Sequence, residues 1–139
     1  MTPKEYLNQY RYAKIKAKAA QDHLDDLRAM SERITPNYSA EGGGTHQSGD
    51  KLGAAVARIV DAEAVVDAQI SLMIATAREV QNTIEAVQDE TLRVLLYERY
   101  INGKTWEQIA VLLNYSWRQT LRLHGDALAA VKDVIECHT

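Results

Sequence analysis

The sequence predicts an all-α protein, in which a long antiparallel helical hairpin precedes a small three-helix helix-turn-helix unit. Three observations predict this fold. Apolar residues recur at steps of three and four over most of the first 87 residues, which is the spacing of a coiled-coil seam. One Gly-rich stretch interrupts them between residues 35 and 50. After residue 88 the pattern restarts in shorter segments, so we predict domains at 1–87 and 88–139.

The first helix is predicted from Pro3 to about Arg33. Thr2 can cap it, Pro3 suits its first turn, and Glu5 lies where the helix dipole favours an anion. Its apolar seam consists of Tyr6, Tyr10, Ala13, Ala17, Ala20, Leu24, Leu27 and Ile34. The following stretch "TPNYSAEGGGTHQSGD", residues 35–50, has no periodicity and is predicted to be a flexible loop at the tip of the hairpin.

The second helix is predicted over about residues 50–87 and carries the longest periodic seam. That seam consists of Leu52, Val56, Ile59, Glu63, Val66, Ile70, Met73, Ala77, Val80, Ile84 and Val87. The alanines of the first seam would allow a close approach opposite these bulkier residues, which favours a hairpin within one chain. The same seams are also compatible with pairing between two copies, so a homodimer through the heptad helices remains an alternative.

The C-terminal unit is predicted to begin with a short helix that Asp89 caps and "NGK" at 102–104 ends. Thr105 and Gln108 form a capping-box pattern, which places the start of the next helix at Trp106. The residues that follow fit a helix-turn-helix, because apolar, small, apolar and turn residues occur at the required positions. These are Ile109, Ala110, Leu113 and Asn114, and the predicted buried side is completed by Tyr115, Thr120 and Leu123.

The start of the last helix is the predicted DNA-binding face. Ser116 caps this helix, and Arg118 and Arg122 lie one turn apart on one side of it. Arginine can contact guanine through two hydrogen bonds, glutamine can do the same with adenine, and apolar side chains can contact a thymine methyl group. The predicted face consists of Ser116, Trp117, Arg118, Gln119, Leu121 and Arg122, with Lys104, Arg99 and His124 placed for phosphate contacts at best.

The segment "LLYERYINGKTWEQIAVLLNYSWRQTLRLHGDAL" resembles the C-terminal half of the phage and prophage ArpU/RinA-type transcription regulators. Their helix-turn-helix is similar to region 4 of bacterial sigma factors. The matching pieces are the "LLYERYINGKTWEQIA" lead-in, the "NYS" turn and the "RLHGDAL" run. This sequence departs from the family pattern at Thr120, where the family prefers Val. The resemblance implies a helical hairpin with a Gly-rich tip in front of a DNA-binding unit, and it implies phage gene regulation.

The charge balance predicts that one copy binds DNA weakly. The net charge is −3 and the isoelectric point is about 5.8, whereas most affinity for DNA comes from basic contacts to phosphates. Double-stranded DNA is therefore expected to be bound with help from a second copy or from RNA polymerase. A basic cluster on the first helix, from Arg11 to Lys18, is interpreted as a solvated face.

The sequence contains no pattern typical of an enzyme, a cofactor site or a metal site. The Gly-rich stretch lacks the lysine of a phosphate-binding loop, the four histidines are scattered, and Cys137 is interpreted as an ordinary thiol. We expect no membrane span and no signal peptide, and hence a cytoplasmic protein of a bacterial host cell.

Two other classes of protein remain possible. A small terminase-like DNA-packaging subunit also combines a helix-turn-helix with oligomerising helices, but it would assemble into a ring. A coiled-coil interaction protein would use the helix-turn-helix only for packing, and it would show no affinity for DNA at low salt. The detailed resemblance favours the regulator.

Overall fold

The computed structural model contains five α-helices and no strand in the part of the chain that it describes. It describes the backbone of residues 1–40 and 45–138 and the side chains of residues 1–33 and 50–138. The all-α prediction is confirmed. None of the described helices is long and apolar enough to span a bilayer. The helices are α1 (Pro3–Ala40), α2 (Thr45–Glu85), α3 (Glu90–Tyr100), α4 (Trp106–Leu113) and α5 (Trp117–Cys137).

The predicted loop at 35–50 is wrong for most of its length. α1 continues to Ala40, beyond the predicted end at Arg33, and α2 already begins at Thr45. This extension passes through Pro36, although proline has no backbone N–H and is disfavoured inside a helix. Local helix propensity therefore does not explain the extension. Positions 41–44 of the predicted loop lie outside the described residues.

The helix starts agree with the predicted capping residues. Glu5 N donates to Thr2 Oγ1 over 3.2 Å, and Thr2 N donates to Glu5 Oε2 over 2.9 Å. Asp89 caps α3 by accepting a hydrogen bond of 3.1 Å from Leu92 N. After α3 ends at Tyr100, Gly103 adopts a φ of 71°, a conformation that glycine reaches without steric cost.

The chain divides into two compact units. The long-helix unit is Lys14–Leu72, and the C-terminal unit is Met1–Ala13 together with Met73–Thr139. The core of the C-terminal unit crosses the predicted domain boundary between residues 87 and 88, because the start of α1 and the end of α2 pack with the last three helices. Its buried residues are Leu7, Val80, Ile84, Val87, Leu95, Leu96, Tyr100, Ile101, Ile109, Ala127 and Val131.

Leu7 is a core residue that the predicted seam of α1 omitted. It is fully buried, whereas the predicted Tyr6 and Tyr10 are half-buried and pack against the same cluster. A tyrosine hydroxyl needs a polar partner, which favours a place at the edge of a core. Tyr6 has such a partner, because a hydrogen bond of 2.9 Å joins its hydroxyl to Thr83 Oγ1.

The long-helix unit has a smaller core to which both long helices contribute. Leu24, Ala62 and Val66 are buried in it, and Ala20, Leu27 and Ile59 pack around them. The guanidinium of Arg28 lies 3.8 Å from the carboxylate of Glu63. These contacts join α1 and α2 of the same chain.

The predicted seam of α2 is wrong in this unit at Val56, Glu63 and Ile70, whose side chains are exposed. The buried positions are instead Ala55 and Ala62. Because Ala17 and Ala20 of α1 are also small, alanines on both helices allow a close approach of the two backbones, and the larger apolar side chains are left on the flanks. The predicted seam positions Ile59 and Val66 are confirmed, whereas the alternate positions of the seam are moved by one residue to Ala55 and Ala62.

Candidate nucleic-acid interface

α4 begins with the predicted capping box. Gln108 N donates to Thr105 Oγ1 over 3.2 Å, and Thr105 N donates to Gln108 Oε1 over 2.9 Å. The pair satisfies two backbone donors that the first turn of a helix would otherwise leave free. Ile109 and Ala110, the predicted apolar and small positions, are both buried. The first helix of the motif is therefore fixed by its own sequence at its start and by the core along its length.

The turn between α4 and α5 depends on Asn114. This residue has a φ of 59° and a ψ of 41° and is the one described non-glycine residue with positive φ. Asparagine tolerates this left-handed conformation better than most residues with a Cβ atom. Tyr115 N then donates to Ala110 O over 3.0 Å, which closes the end of the helix. The predicted turn residue is confirmed.

α5 begins at Ser116 with a second capping box. Gln119 N donates to Ser116 Oγ over 3.1 Å, and Ser116 N donates to Gln119 Oε1 over 3.0 Å. The sequence predicts the serine cap and, for Gln119, only a DNA contact. Because its Oε1 is already bonded, Gln119 has its amide nitrogen left for another partner. The spacing Ser-x-x-Gln is the signal that would have identified this box.

Thr120 lies on the buried side of α5, as predicted. Its side chain is fully buried and its hydroxyl donates to Ser116 O over 2.9 Å. The hydroxyl is thus satisfied within the helix, and the methyl group faces the core. The departure from Val at this position therefore leaves no unpaired polar group in the interior.

The outer face of α5 contains most of the predicted DNA-binding residues. Ser116, Arg118, Gln119 and Arg122 are exposed, and Trp117 keeps 55% of its surface accessible. Leu121 is half-buried. No acidic residue occurs in the first turn of α5. The structure thus presents two guanidinium groups and an indole side by side at the start of this helix.

Gly125 extends this face by one further turn. It follows Arg122 by three positions, so the two residues lie on the same side of α5. A Cβ atom at Gly125 would meet no other atom within 4 Å. Internal packing therefore does not require glycine there, although a glycine inside a helix costs stability. The sequence analysis did not single out this position.

Tyr115 is a correction to the predicted buried side. It remains 42% exposed, and a phenol hydroxyl favours a position where it is not enclosed among apolar groups. Val111 and Leu112 at the end of α4 are 82% and 51% exposed. Trp117 at the start of α5 is exposed as well. Two consecutive apolar residues at the end of a short helix are the sequence signal that could have predicted this exposed apolar set.

His124, which is predicted to contact phosphate at best, has a packing role in the structure. Its Nε2 and the Tyr100 hydroxyl are joined by a hydrogen bond of 2.6 Å. Its ring lies 4.4 Å from the ring of Trp106, centroid to centroid, and Arg99 stacks over that indole at 4.6 Å. One imidazole thus ties α3, α4 and α5 together.

The surroundings of His124 keep its ring neutral. Burial, with smaller contributions from the positive charges of Lys4 and Arg99, lowers the pKa of His124 to about 4. Burial also raises the pKa of Tyr100 to about 12, so this hydroxyl stays protonated. A neutral imidazole lacks the charge that attracts a phosphate. The predicted contact therefore has no electrostatic support.

Lys104, also predicted to contact phosphate, already has a partner. Its ammonium lies 2.8 Å from the Glu98 carboxylate, and hydrogen bonds from Lys104 and Asn102 lower the pKa of Glu98. Arg99 donates to Lys104 O over 3.0 Å and stacks on Trp106. Both cations support the connection between α3 and α4. Arg118 and Arg122 are the cations that remain on the outer face of α5.

No family model, curated protein or solved structure matches this chain. The geometry of the described residues is therefore the basis for a functional proposal. Within the described residues, no group of three or more His, Cys, Asp and Glu side chains is placed to hold a metal ion. The outer face of α5 is the site at which exposed basic, amide and aromatic groups lie together.

Proposed function

We propose that this protein is a phage-type transcription regulator that binds promoter DNA through α4 and α5. The observation that carries the proposal is the exposed start of α5, where Trp117, Arg118 and Arg122 project from a helix held by a capped left-handed turn. The start of the second helix is the part of a helix-turn-helix that enters the major groove. The resemblance to ArpU/RinA-type regulators supports the same assignment.

The proposed contacts follow from the chemistry of the face. Arg118 and Arg122 contact guanine edges or phosphates, the free amide of Gln119 donates to a base or phosphate, and Trp117 packs on sugar or a thymine methyl group. The open space at Gly125 allows the DNA backbone to come close to α5. Ser116 and Leu121 position this face, whereas Lys104 and His124 stabilise the packing of the helices behind it.

A single copy is expected to bind weakly, since these few cations contrast with a net charge of −3 for the chain. Non-specific binding of such units falls in the range of roughly 0.1 mM to 1 μM. Selective binding to DNA in the bacterial cytoplasm therefore requires either a second DNA-binding unit or simultaneous binding to RNA polymerase. In this proposal the long helices provide that attachment.

The exposed apolar turn favours a second candidate, an interaction protein that does not bind DNA. Val111, Leu112, Tyr115 and Trp117 are all exposed at the turn and at the helix ends that flank it, and exposed apolar residues are a feature of protein-binding sites. In that case α4 and α5 bind a protein partner, and removal of Arg118 and Arg122 has little effect on it.

The test is a salt series of binding to random genomic DNA fragments, with the bound fragments sequenced. We expect the protein to enrich one short motif at low salt, and Arg118→Ala with Arg122→Ala to weaken binding to that motif by at least about tenfold. The double variant Arg33→Ala with Arg78→Ala is the matched control, because it removes the same charge from exposed positions on the long helices.

Four results would contradict the proposal. Equal losses in both double variants would indicate non-specific attraction, and unchanged selectivity in the α5 variant would place recognition elsewhere. A lack of DNA binding at low salt would favour the interaction protein. A ring-sized mass combined with enrichment of a packaging site would favour the terminase-like subunit.

A further inference from the structure

The long-helix unit carries an exposed stripe on α2 that its own core does not use. The outer stripe consists of Ala54, Arg58, Asp61, Val65 and Ala68, which follow one another at steps of four and three. Such steps place residues on one face of a helix and are the spacing of a coiled-coil seam. All five are exposed, and Val65 keeps 52% of its surface accessible.

The outer stripe borders a groove between the two long helices. The groove has a volume of about 320 Å³ and is lined mainly by apolar atoms. α1 contributes Ala20, His23 and Leu27 to it, and α2 contributes Ala62 besides three residues of the stripe. A neighbouring helix can bury apolar side chains in this groove. The outer stripe therefore offers a partner an apolar surface in addition to its charged groups.

The outer stripe is complementary to a second copy of itself that runs antiparallel. A two-fold axis placed midway between Arg58 and Asp61 sets each Arg58 opposite Asp61 of the second copy. The same register sets Ala54 opposite Val65, so a small side chain meets a larger one in both halves of the interface. Neither Arg58 nor Asp61 forms an ion pair with another described residue.

The opposite flank of α2 does not have this property. Its stripe of Val56, Val60, Glu63, Asp67 and Ile70 has the same spacing and is also exposed. In the corresponding register the axis lies midway between Val60 and Glu63, so an antiparallel copy would place Glu63 opposite Val60 and Asp67 opposite Val56. Neither carboxylate then meets a cation of the second copy, and Glu63 already lies 3.8 Å from Arg28 of its own chain. Charge therefore selects the outer stripe over this flank for self-association.

We propose that two copies of this chain associate through antiparallel outer stripes of α2, with two symmetric Arg58–Asp61 ion pairs across the interface. The occupant of the groove is then α2 of the second copy, with its Val65 and Ala54 packed beside the ion pairs. This interface goes beyond the proposed DNA binding and does not depend on it, because it is formed by residues of the long-helix unit alone.

The experiment measures the mass of the full-length protein by sedimentation over a range of concentrations, without DNA. Arg58→Asp and Asp61→Arg each place like charges across the axis, so each variant is expected to weaken the dimer by at least about tenfold. Mixed in equal amounts, the two variants form complementary pairs. The Arg58→Asp chain is acidic at both positions, and the Asp61→Arg chain is basic at both. The mixture is therefore expected to regain the wild-type dimer.

Asp67→Arg is the control for Asp61→Arg, because it makes the same change of charge outside the outer stripe. It is expected to leave the dimer intact. Circular dichroism of each variant establishes that it stays helical. A monomeric wild-type protein, a larger ring, or a mixture of the two variants that stays monomeric would overturn the proposal. Loss of the dimer in Asp67→Arg alone would place the interface on the opposite flank. The masses are measured without DNA, so they do not test the contacts of α5 with DNA. A monomer would leave RNA polymerase as the attachment that selective DNA binding requires.

Discussion

At the residue scale, His124 illustrates how an ionisable side chain can serve packing. The ring hydrogen-bonds to Tyr100, contacts Trp106 and lies near the positive charges of Lys4 and Arg99. Protonation would add a buried charge beside these cations. The cluster is therefore more stable when the imidazole is neutral than when it is protonated.

This arrangement predicts a pH-dependent loss of stability. The pKa of His124 is about 4 in the folded protein and about 6.5 in an unfolded chain. Between these values the unfolded state binds the extra proton, so the free energy of unfolding falls as the pH is lowered from about 6.5 to about 4. In urea unfolding at a series of pH values, His124→Gln is expected to lose less stability over this range than the wild-type protein.

The carboxylates titrate in both proteins, so their effect on the free energy of unfolding cancels when the two stability curves are subtracted. The remaining difference in free energy reports the titration of His124. Parallel stability curves from neutral pH to pH 4 would show that His124 is not the group responsible. A larger acid loss in His124→Gln than in the wild-type protein would contradict the proposed burial of a neutral ring.

At the scale of elements, the helix-turn-helix is defined by two capping boxes and one left-handed residue. The boxes at Thr105 and Ser116 fix where α4 and α5 begin, and Asn114 fixes the direction of the chain between them. All of these are hydrogen bonds or backbone angles within a few residues. The orientation of the start of α5 therefore depends on local hydrogen bonds and backbone angles more than on contacts between residues distant in sequence.

Substitutions at Asn114 test this role of the turn. Asn114→Ala is expected to lower the free energy of unfolding by about 1 kcal/mol, because alanine is strained at positive φ. Asn114→Gly is the matched variant and is expected to keep the stability of the wild-type protein within about 0.5 kcal/mol, because glycine adopts this conformation freely. Urea unfolding measures both. Equal losses in the two variants would assign the effect to the asparagine side chain and not to the backbone.

At the scale of the whole molecule, the two compact units have cores of different composition. The C-terminal unit buries leucines, isoleucines and a tyrosine from all five helices, whereas the long-helix unit buries a few alanines with Leu24 and Val66. Burial of large apolar side chains contributes more to stability than burial of alanines. The two units are therefore expected to open with different free energies.

Amide hydrogen exchange tests this difference. At a low protein concentration, amides in the middle of α3 and α5 are expected to exchange at least about tenfold more slowly than those of α1 and α2 within Lys14–Leu72. Peptide-resolved mass spectrometry measures both regions in one sample. Equal protection in the two regions would show that the chain opens as a single cooperative unit.

The all-α class, the starts of α3, α4 and α5, and the turn residue Asn114 were all predictable from the amino-acid sequence. These features depend on capping side chains and backbone angles that act over three or four residues, so they can be predicted from local spacing. The exposed positions of Arg118 and Arg122 followed from the same local register. Much of the candidate site was therefore predictable, whereas its function remains a proposal.

Only the tertiary structure decided which side of each helix is buried. It shifted the seam of α2 to Ala55 and Ala62, left Tyr115 at the surface and turned His124 into a bridge among three helices. The physical reason is that burial and pKa depend on neighbours distant in sequence, since the close approach of two helices and the contacts of a ring are set by the partner surface. Periodicity gives the spacing of a buried stripe, and packing selects its phase.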